Sequence, residues 1–202
     1  LSGIRFLNAT KVVASMEAAD ESQTREIVRD LQLLDTASDF ILIDTGAGCS
    51  DNALRYAMLV DETVMITTAD VGVNADTFSV VRMLRDIDPA LPISLVINRA
   101  ASLAEAREAF ARINAAARKL NLSDVPGLGW IIEDEAIKRD TASLGPVVDV
   151  APHAPAGKCF TLLAEILTNR LKPADEQKSG GLQDLIKSLE VTIQRNAAFR
   201  GL

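Results

Sequence analysis

Short apolar runs recur along this chain, separated by stretches of helical periodicity. Phe40–Ile43, Thr63–Thr68, Ile93–Ile97 and Leu128–Ile132 are aliphatic and β-branched, with little polar alternation. Runs of that kind read as strands buried on both faces, the pattern of a parallel sheet. The segment Ile4-Arg5-Phe6-Leu7 reads as a further short strand. Between the runs, Ile27, Leu31 and Leu34 mark a helix over Glu21–Leu34, with Arg25, Glu26, Arg29 and Asp30 outward. Ser50 or Asp51 can cap a helix through Leu59. Phe78, Val81 and Leu84 mark another over about residues 74–86. Pro89 and Pro92 then break the chain. Ser102 and Glu105 form a capping-box pattern for a helix to about Leu120. Residues 133–141 read as helical, and Pro155 suits the first turn of a helix ending near Leu171. The alternation predicts an α/β fold: a doubly wound, mostly parallel sheet with right-handed crossovers and flanking helices.

This domain is read over residues 1–171. Residues 172–181 (KPADEQKSGG) form a polar linker with Pro and Gly. Residues 182–202 follow as a tethered amphipathic helix, with Leu182, Leu185, Ile186, Leu189 and Ile193 on one face. Such a helix suits docking to a membrane surface, to a partner groove or to the domain itself. Its acids Asp184 and Glu190 nearly balance Lys187, Arg195 and Arg200, whereas membrane-surface helices are usually richer in basic residues.

Composition narrows the function classes. The net charge of −7 argues against a broad basic surface for nucleic acid. No run approaches the roughly 20 apolar residues of a membrane span, and the first residues lack the pattern of a secretory signal. Cys49 and Cys159 show no metal spacing, which suits a reduced, cytoplasmic setting. The sole histidine, His153, lies in the loop-like Ala151–Pro155, so neither a Ser-His-Asp mechanism nor a His-rich metal site is supported. The chain starts on Leu1 and almost at once on a strand. It is therefore expected to be the carboxyl portion of something longer.

The chemistry gathers where strands end. Phe40–Ile43 runs into Asp44-Thr45-Gly46-Ala47-Gly48. An acid at the carboxyl end of a parallel strand sits on the rim where open α/β sheets bind ligands. There it can hold Mg²⁺, directly or through water. Glycines beside it let the backbone approach a phosphate and change conformation when the phosphate leaves. Thr67-Thr68-Ala69-Asp70 ends the next strand and Asn98-Arg99 the one after. An Asn amide can pair with a purine edge, and a guanidinium can stack on the base. Each feature also has a plainer reading, as an Asp-capped turn or a turn with a surface Arg.

Taken together, these motifs resemble the MinD/ParA class of dimerising P-loop ATPases, and in particular their flagellar-number branch, the FlhG (or FleN) proteins. The resemblance covers about residues 1–172. It rests on Asp39–Gly48, Val64–Thr68, Val96–Arg99 and Leu128–Ala136, with Asp-Thr-Gly-Ala-Gly its most specific part. It implies a P-loop NTPase-like fold, incomplete at the amino end, that uses ATP and Mg²⁺. By the same resemblance Asp44 is the Walker B acid near Mg²⁺, and Gly48 belongs to a switch that senses the γ-phosphate. Thr45 and Gly46 lie against nucleotide, Asn98 recognises adenine with Arg99 beside it, and Ile132, Glu133 and Asp134 border the base. Ala69 and Ile132 stand where the family often has Pro. The family's glycine-rich Gly-Lys-Thr loop occurs nowhere in these 202 residues, so the chain as given is expected not to hydrolyse ATP.

The function so implied is an ATP-dependent homodimeric switch that positions or counts a cellular structure, flagella or the division site. It would have a protein activator or cargo partner and peripheral membrane contact through the tail. The alternatives are a nucleotide-independent scaffold and a DNA-partitioning ATPase, the latter disfavoured by the acidic charge.

Overall fold

The runs at Thr63–Thr68 (β1), Ile93–Ala100 (β2) and Gly127–Ile132 (β3) form strands that pair in parallel in the order β1–β2–β3. The structure is a computed structural model that describes residues 4, 38–46, 48, 51–57, 60–140 and 145–171. The chain divides into two units, Leu1–Val60 with Gln177–Leu202, and Asp61–Glu176. The helix expected over Glu21–Leu34, the first expected strand beyond Ile4, the linker and the tail helix lie outside the described residues.

In the second unit each strand is followed by a helix: α2 (Val71–Ile87) after β1, α3 (Leu103–Lys119) after β2, and α4 (Glu135–Asp140) after β3. A short helix, α5 (Val147–Val150), and a long one, α6 (Pro155–Arg170), complete it. β1–α2–β2 and β2–α3–β3 step the same way across the sheet, so crossovers of one hand put α2 and α3 on one face. The core confirms two covered faces. Ile97 and Ala100 pack with Ala106 and Ala109 of α3. Val96, Leu128 and Ile131 pack with Ala156 and Leu163 of α6. The central strand β2 is the most buried, because among the described residues it alone has a neighbour on each side. β1 is an edge strand among the described residues, and its Ile66 is 66% exposed.

Capping explains where the helices start. α2 begins three residues before the expected Asn74 because Asp70 accepts hydrogen bonds from the Gly72 and Val73 amides. On α3, Ser102 Oγ accepts from the Glu105 amide. The Glu105 carboxylate reaches back to the Ala101 amide, one residue earlier than a standard capping box. Four-residue α5 was too short to show periodicity; it follows Gly145-Pro146. α6 opens on Pro155 as expected. In its first turn a Cβ on Gly157 would stand 2.6 Å from the Ala151 carbonyl oxygen and 2.9 Å from that of Pro152, so only glycine fits this close approach.

In the first unit, α1 (Asp51–Ala57) lies within the expected helix. Burial pushes the phenol of its Tyr56 above the ordinary tyrosine value. Phe40–Asp44 differs from expectation. It is not a strand, and Phe40 and Leu42 are 44% and 89% exposed. An apolar run becomes a buried strand only when neighbouring strands satisfy its N–H and C=O groups. Among the described residues none pairs with it.

Candidate functional site

The carboxyl rim of the second unit is shaped by a break in the β2–β3 ladder. Ile97 pairs with Trp130 and Ala100 with Ile132. Between those pairs, Asn98 and Arg99 oppose Ile131 alone, which makes a bulge. A bulge bends its strand and re-aims the side chains it carries. Here Arg99 takes a left-handed backbone, with φ +57°, a conformation that costs a residue with a Cβ roughly 1–2 kcal/mol. The sequence does not use Gly there. Strain of this kind concentrates at functional positions.

Side chains extend the arrangement across the rim. Asn98 Oδ1 accepts from the Arg99 amide at 3.0 Å. Its Nδ2 makes no hydrogen bond among the described residues. Arg99 Nη2 lies 3.3 Å from Glu133 Oε1, and the Glu133 amide donates to the Ala100 carbonyl at 2.9 Å. On the other side, Asn98 is in register with Thr68, the last residue of β1. The rim therefore presents one amide and one guanidinium, flanked by the β1–α2 loop and by Glu133. A carboxamide and a planar cation side by side suit a purine ring, which offers edge donors and acceptors and a π face.

Asp134 is placed differently. Its Oδ1 accepts from the Ala136 amide at 2.9 Å and its Oδ2 from the Ala156 amide at 3.0 Å. One carboxylate thus caps α4 and meets the first turn of α6, and a negative charge is favoured at both helix starts. Ile132 is half-buried and in register with Ala100. The structure thus brings Asn98, Arg99, Ile132 and Glu133 together at one rim, and it engages Asp134 in joining helices.

Asp44, Thr45, Gly46 and Gly48 lie in the first unit. Asp44 Oδ1 accepts from the Gly46 amide at 2.9 Å, closing a tight turn. Gly46 and Gly48 both have positive φ, +72° and +97°, which glycine alone adopts without cost. The acid and the glycine backbone are therefore coupled within three residues. Leu182, Leu185, Ile186, Leu189 and Ile193 lie outside the described residues.

Sequence reasoning did not find Asn74, Thr77 or Arg112. Thr77 Oγ1 donates to Thr67 Oγ1 at 2.8 Å in the core. Asn74 Nδ2 donates to the Asp70 carbonyl at 2.7 Å and the Ala69 carbonyl at 3.3 Å. Asn74 sits four residues beyond Asp70, one turn along the helix, and that spacing was the only signal. Arg112 lies far along the chain and left none.

Several known proteins are similar to this chain. The antiactivator FleN of Pseudomonas aeruginosa is 19% identical over 187 residues, 93% of this chain and 66% of FleN. The cell division ATPase MinD of Pyrococcus furiosus is 28% identical with a TM-score of 0.55, over 73% of this chain and 59% of that one. The septum site-determining protein MinD of Pyrococcus horikoshii, in complex with Mg-ADP, is 25% identical with a TM-score of 0.54, over 74% and 58%. The chain is thus similar to MinD-type ATPases and to FleN. MinD of Aquifex aeolicus, 19% identical with a TM-score of 0.57, shares the fold. No protein-family model matches the chain. It spans less than two thirds of the length of these relatives.

Proposed function

We propose that this chain contributes the base-recognition rim and the Mg²⁺-facing acid of an ATP-dependent, dimerising switch of the MinD/ParA type. The observation that carries the reading is the strained bulge that sets Asn98 and Arg99 side by side at the carboxyl rim. Support comes from the fold likeness to a MinD in complex with Mg-ADP. Asn98 would read the adenine edge, Arg99 would cover its face, and Glu133 would hold the guanidinium in place.

The residues present fit the cofactor. Among the described residues no three His, Cys, Asp or Glu side chains gather as a metal cage. Mg²⁺ rarely uses such a cage; it is commonly held by one or two carboxylates together with substrate phosphates and water. Asp44 is the carboxylate proposed for that role. When bound, Mg²⁺ would neutralise charge on the nucleotide phosphates. The turn from Asp44 to Gly46 would pass a change at the acid to the left-handed glycines, the moving part of the switch. The chain contains no Gly-Lys-Thr loop, so turnover is assigned to a full-length protein that supplies one.

The output would be the placement or numerical control of a cellular structure, flagella or the division site. It would act through a partner protein, with residues 182–193 docking on that partner or on a membrane surface. No helix among the described residues is long and apolar enough to cross a membrane. The test is calorimetric titration of the full-length protein with ATP and Mg²⁺. Tight Mg²⁺-dependent binding that Asn98→Ala weakens, with turnover abolished by Asp44→Ala in a folded protein, supports the reading. Absence of Mg²⁺-dependent ATP binding overturns it.

A further inference from the structure

The loop between β1 and α2 is held from a helix that is remote in sequence. Arg112, midway along α3, donates from Nη2 to the Ala69 carbonyl at 2.6 Å. Its pairing with Glu108, one turn back on the same helix, is looser, at 3.9 Å. A surface arginine on a helix would instead pair locally with exposed acids. Asn74 reaches the same carbonyl and that of Asp70, so one oxygen receives an amide and a guanidinium. Flipping the Asn74 amide would set its oxygen against two carbonyl oxygens, so this network settles its orientation. Asn74 Oδ1 and Arg112 Nε are buried with no hydrogen-bond partner among the described residues. Buried polar groups left this way are uncommon and costly, so the arrangement is not a by-product of good packing. The Ala69 methyl rests against the cluster of Ala106 and Ala109, which brings the loop within reach of α3.

We propose that Arg112, together with Asn74, is a positioning residue that fixes the Thr68–Asp70 loop beside Asn98 and thereby sets the affinity of the rim for nucleotide. The proposal rests on the nucleotide-binding reading given above. Thr68 is in register with Asn98, so the loop begins directly beside the proposed base contact. Arg112 itself touches no proposed ligand position; it acts through the Ala69 carbonyl.

The test compares Arg112→Met, Arg112→Lys and Asn114→Ala in the full-length protein. Asn114 is the control. It lies on the same helix but bonds the backbone of Val125, at the entry to β3 and away from the rim. Amide hydrogen exchange is measured without nucleotide, and ATP affinity is measured by calorimetry with Mg²⁺. Arg112→Met is expected to speed exchange at Gly72, Val73 and Asn74 and to raise the ATP Kd roughly ten-fold, the scale of one charged hydrogen bond. Arg112→Lys, which keeps one cationic donor, recovers part of the affinity. Asn114→Ala speeds exchange at Val125 and lowers stability, with Kd unchanged. Unchanged exchange at Gly72–Asn74 in Arg112→Met overturns the proposal, as does a loss of affinity no larger than that of Asn114→Ala. A wild-type protein that binds no ATP overturns the nucleotide reading itself. Wild-type binding that Arg112→Met leaves intact overturns only the positioning role.

Discussion

Glu62 precedes β1 at the edge of the sheet opposite the rim, and its side chain is 11% exposed. Its Oε1 accepts from Ser94 Oγ at 2.6 Å and lies 3.3 Å from Arg170 Nη1, so one carboxylate ties β1 to β2 and to the end of α6. Glu62→Ala leaves the fully buried Ser94 hydroxyl without its acceptor, at about 1–3 kcal/mol. The Arg170 guanidinium is 40% exposed, so losing that pair adds at most about 1 kcal/mol. The expected total is about 1–4 kcal/mol. Ser94→Ala removes the buried hydroxyl as well, so adding it to Glu62→Ala should cost little more, with a coupling of about 1–2 kcal/mol between the two sites. The assay is urea unfolding followed by the fluorescence of Trp130, the sole tryptophan, which lies in β3 of the same unit. Raised salt should weaken the Arg170 part and leave the Ser94 part. A loss below about 0.5 kcal/mol for Glu62→Ala, or strict additivity in the double variant, would refute the reasoning.

Further substitutions probe the rest of the frame. Gly157→Ala drives a Cβ against two backbone oxygens that cannot swing away, and about 1–3 kcal/mol of stability should be lost in the same urea assay; a neutral result would mean α6 can shift at no cost. Asp134→Ala strips the acceptor from the Ala136 and Ala156 amides and should cost about 2 kcal/mol, so an unchanged unfolding midpoint would remove its role in joining helices. Arg99→Gly relieves the left-handed strain and should raise stability by up to about 1 kcal/mol while weakening ATP binding in calorimetry; a fall in stability would show that the Glu133 pair outweighs the strain.

Much of the strand–helix order was legible from local rules. Thr63–Thr68 matched its strand residue for residue, and β2 and β3 departed from expectation only at their ends, because a short unbroken apolar run has few other ways to bury itself. Ser102 and Pro155 mark helix starts through bonds or dihedrals that span only a few residues, whereas the cap at Asp70 went unread and α2 was expected from Asn74. The residue types of the candidate site were legible as well, since Asn98-Arg99 follows an apolar run and Asp44 precedes paired glycines.

Tertiary structure decided what those residues do. Whether Phe40–Ile43 becomes a strand depends on a neighbour to pair with, which an apolar pattern cannot specify. The approach of α6 gives the second carboxylate oxygen of Asp134 a backbone amide 22 residues away. The bulge at Asn98-Arg99 exists only in the register of β2 against β3, and a register belongs to two strands at once. Arg112 meets Ala69 across 43 residues and Arg170 meets Glu62 across 108. Periodicity and capping are local interactions, so the sequence by itself determined which segments fold as strands or helices within the sheet unit. Hydrogen bonds between distant side chains and backbone depend on how those elements pack, and only the folded chain determined them.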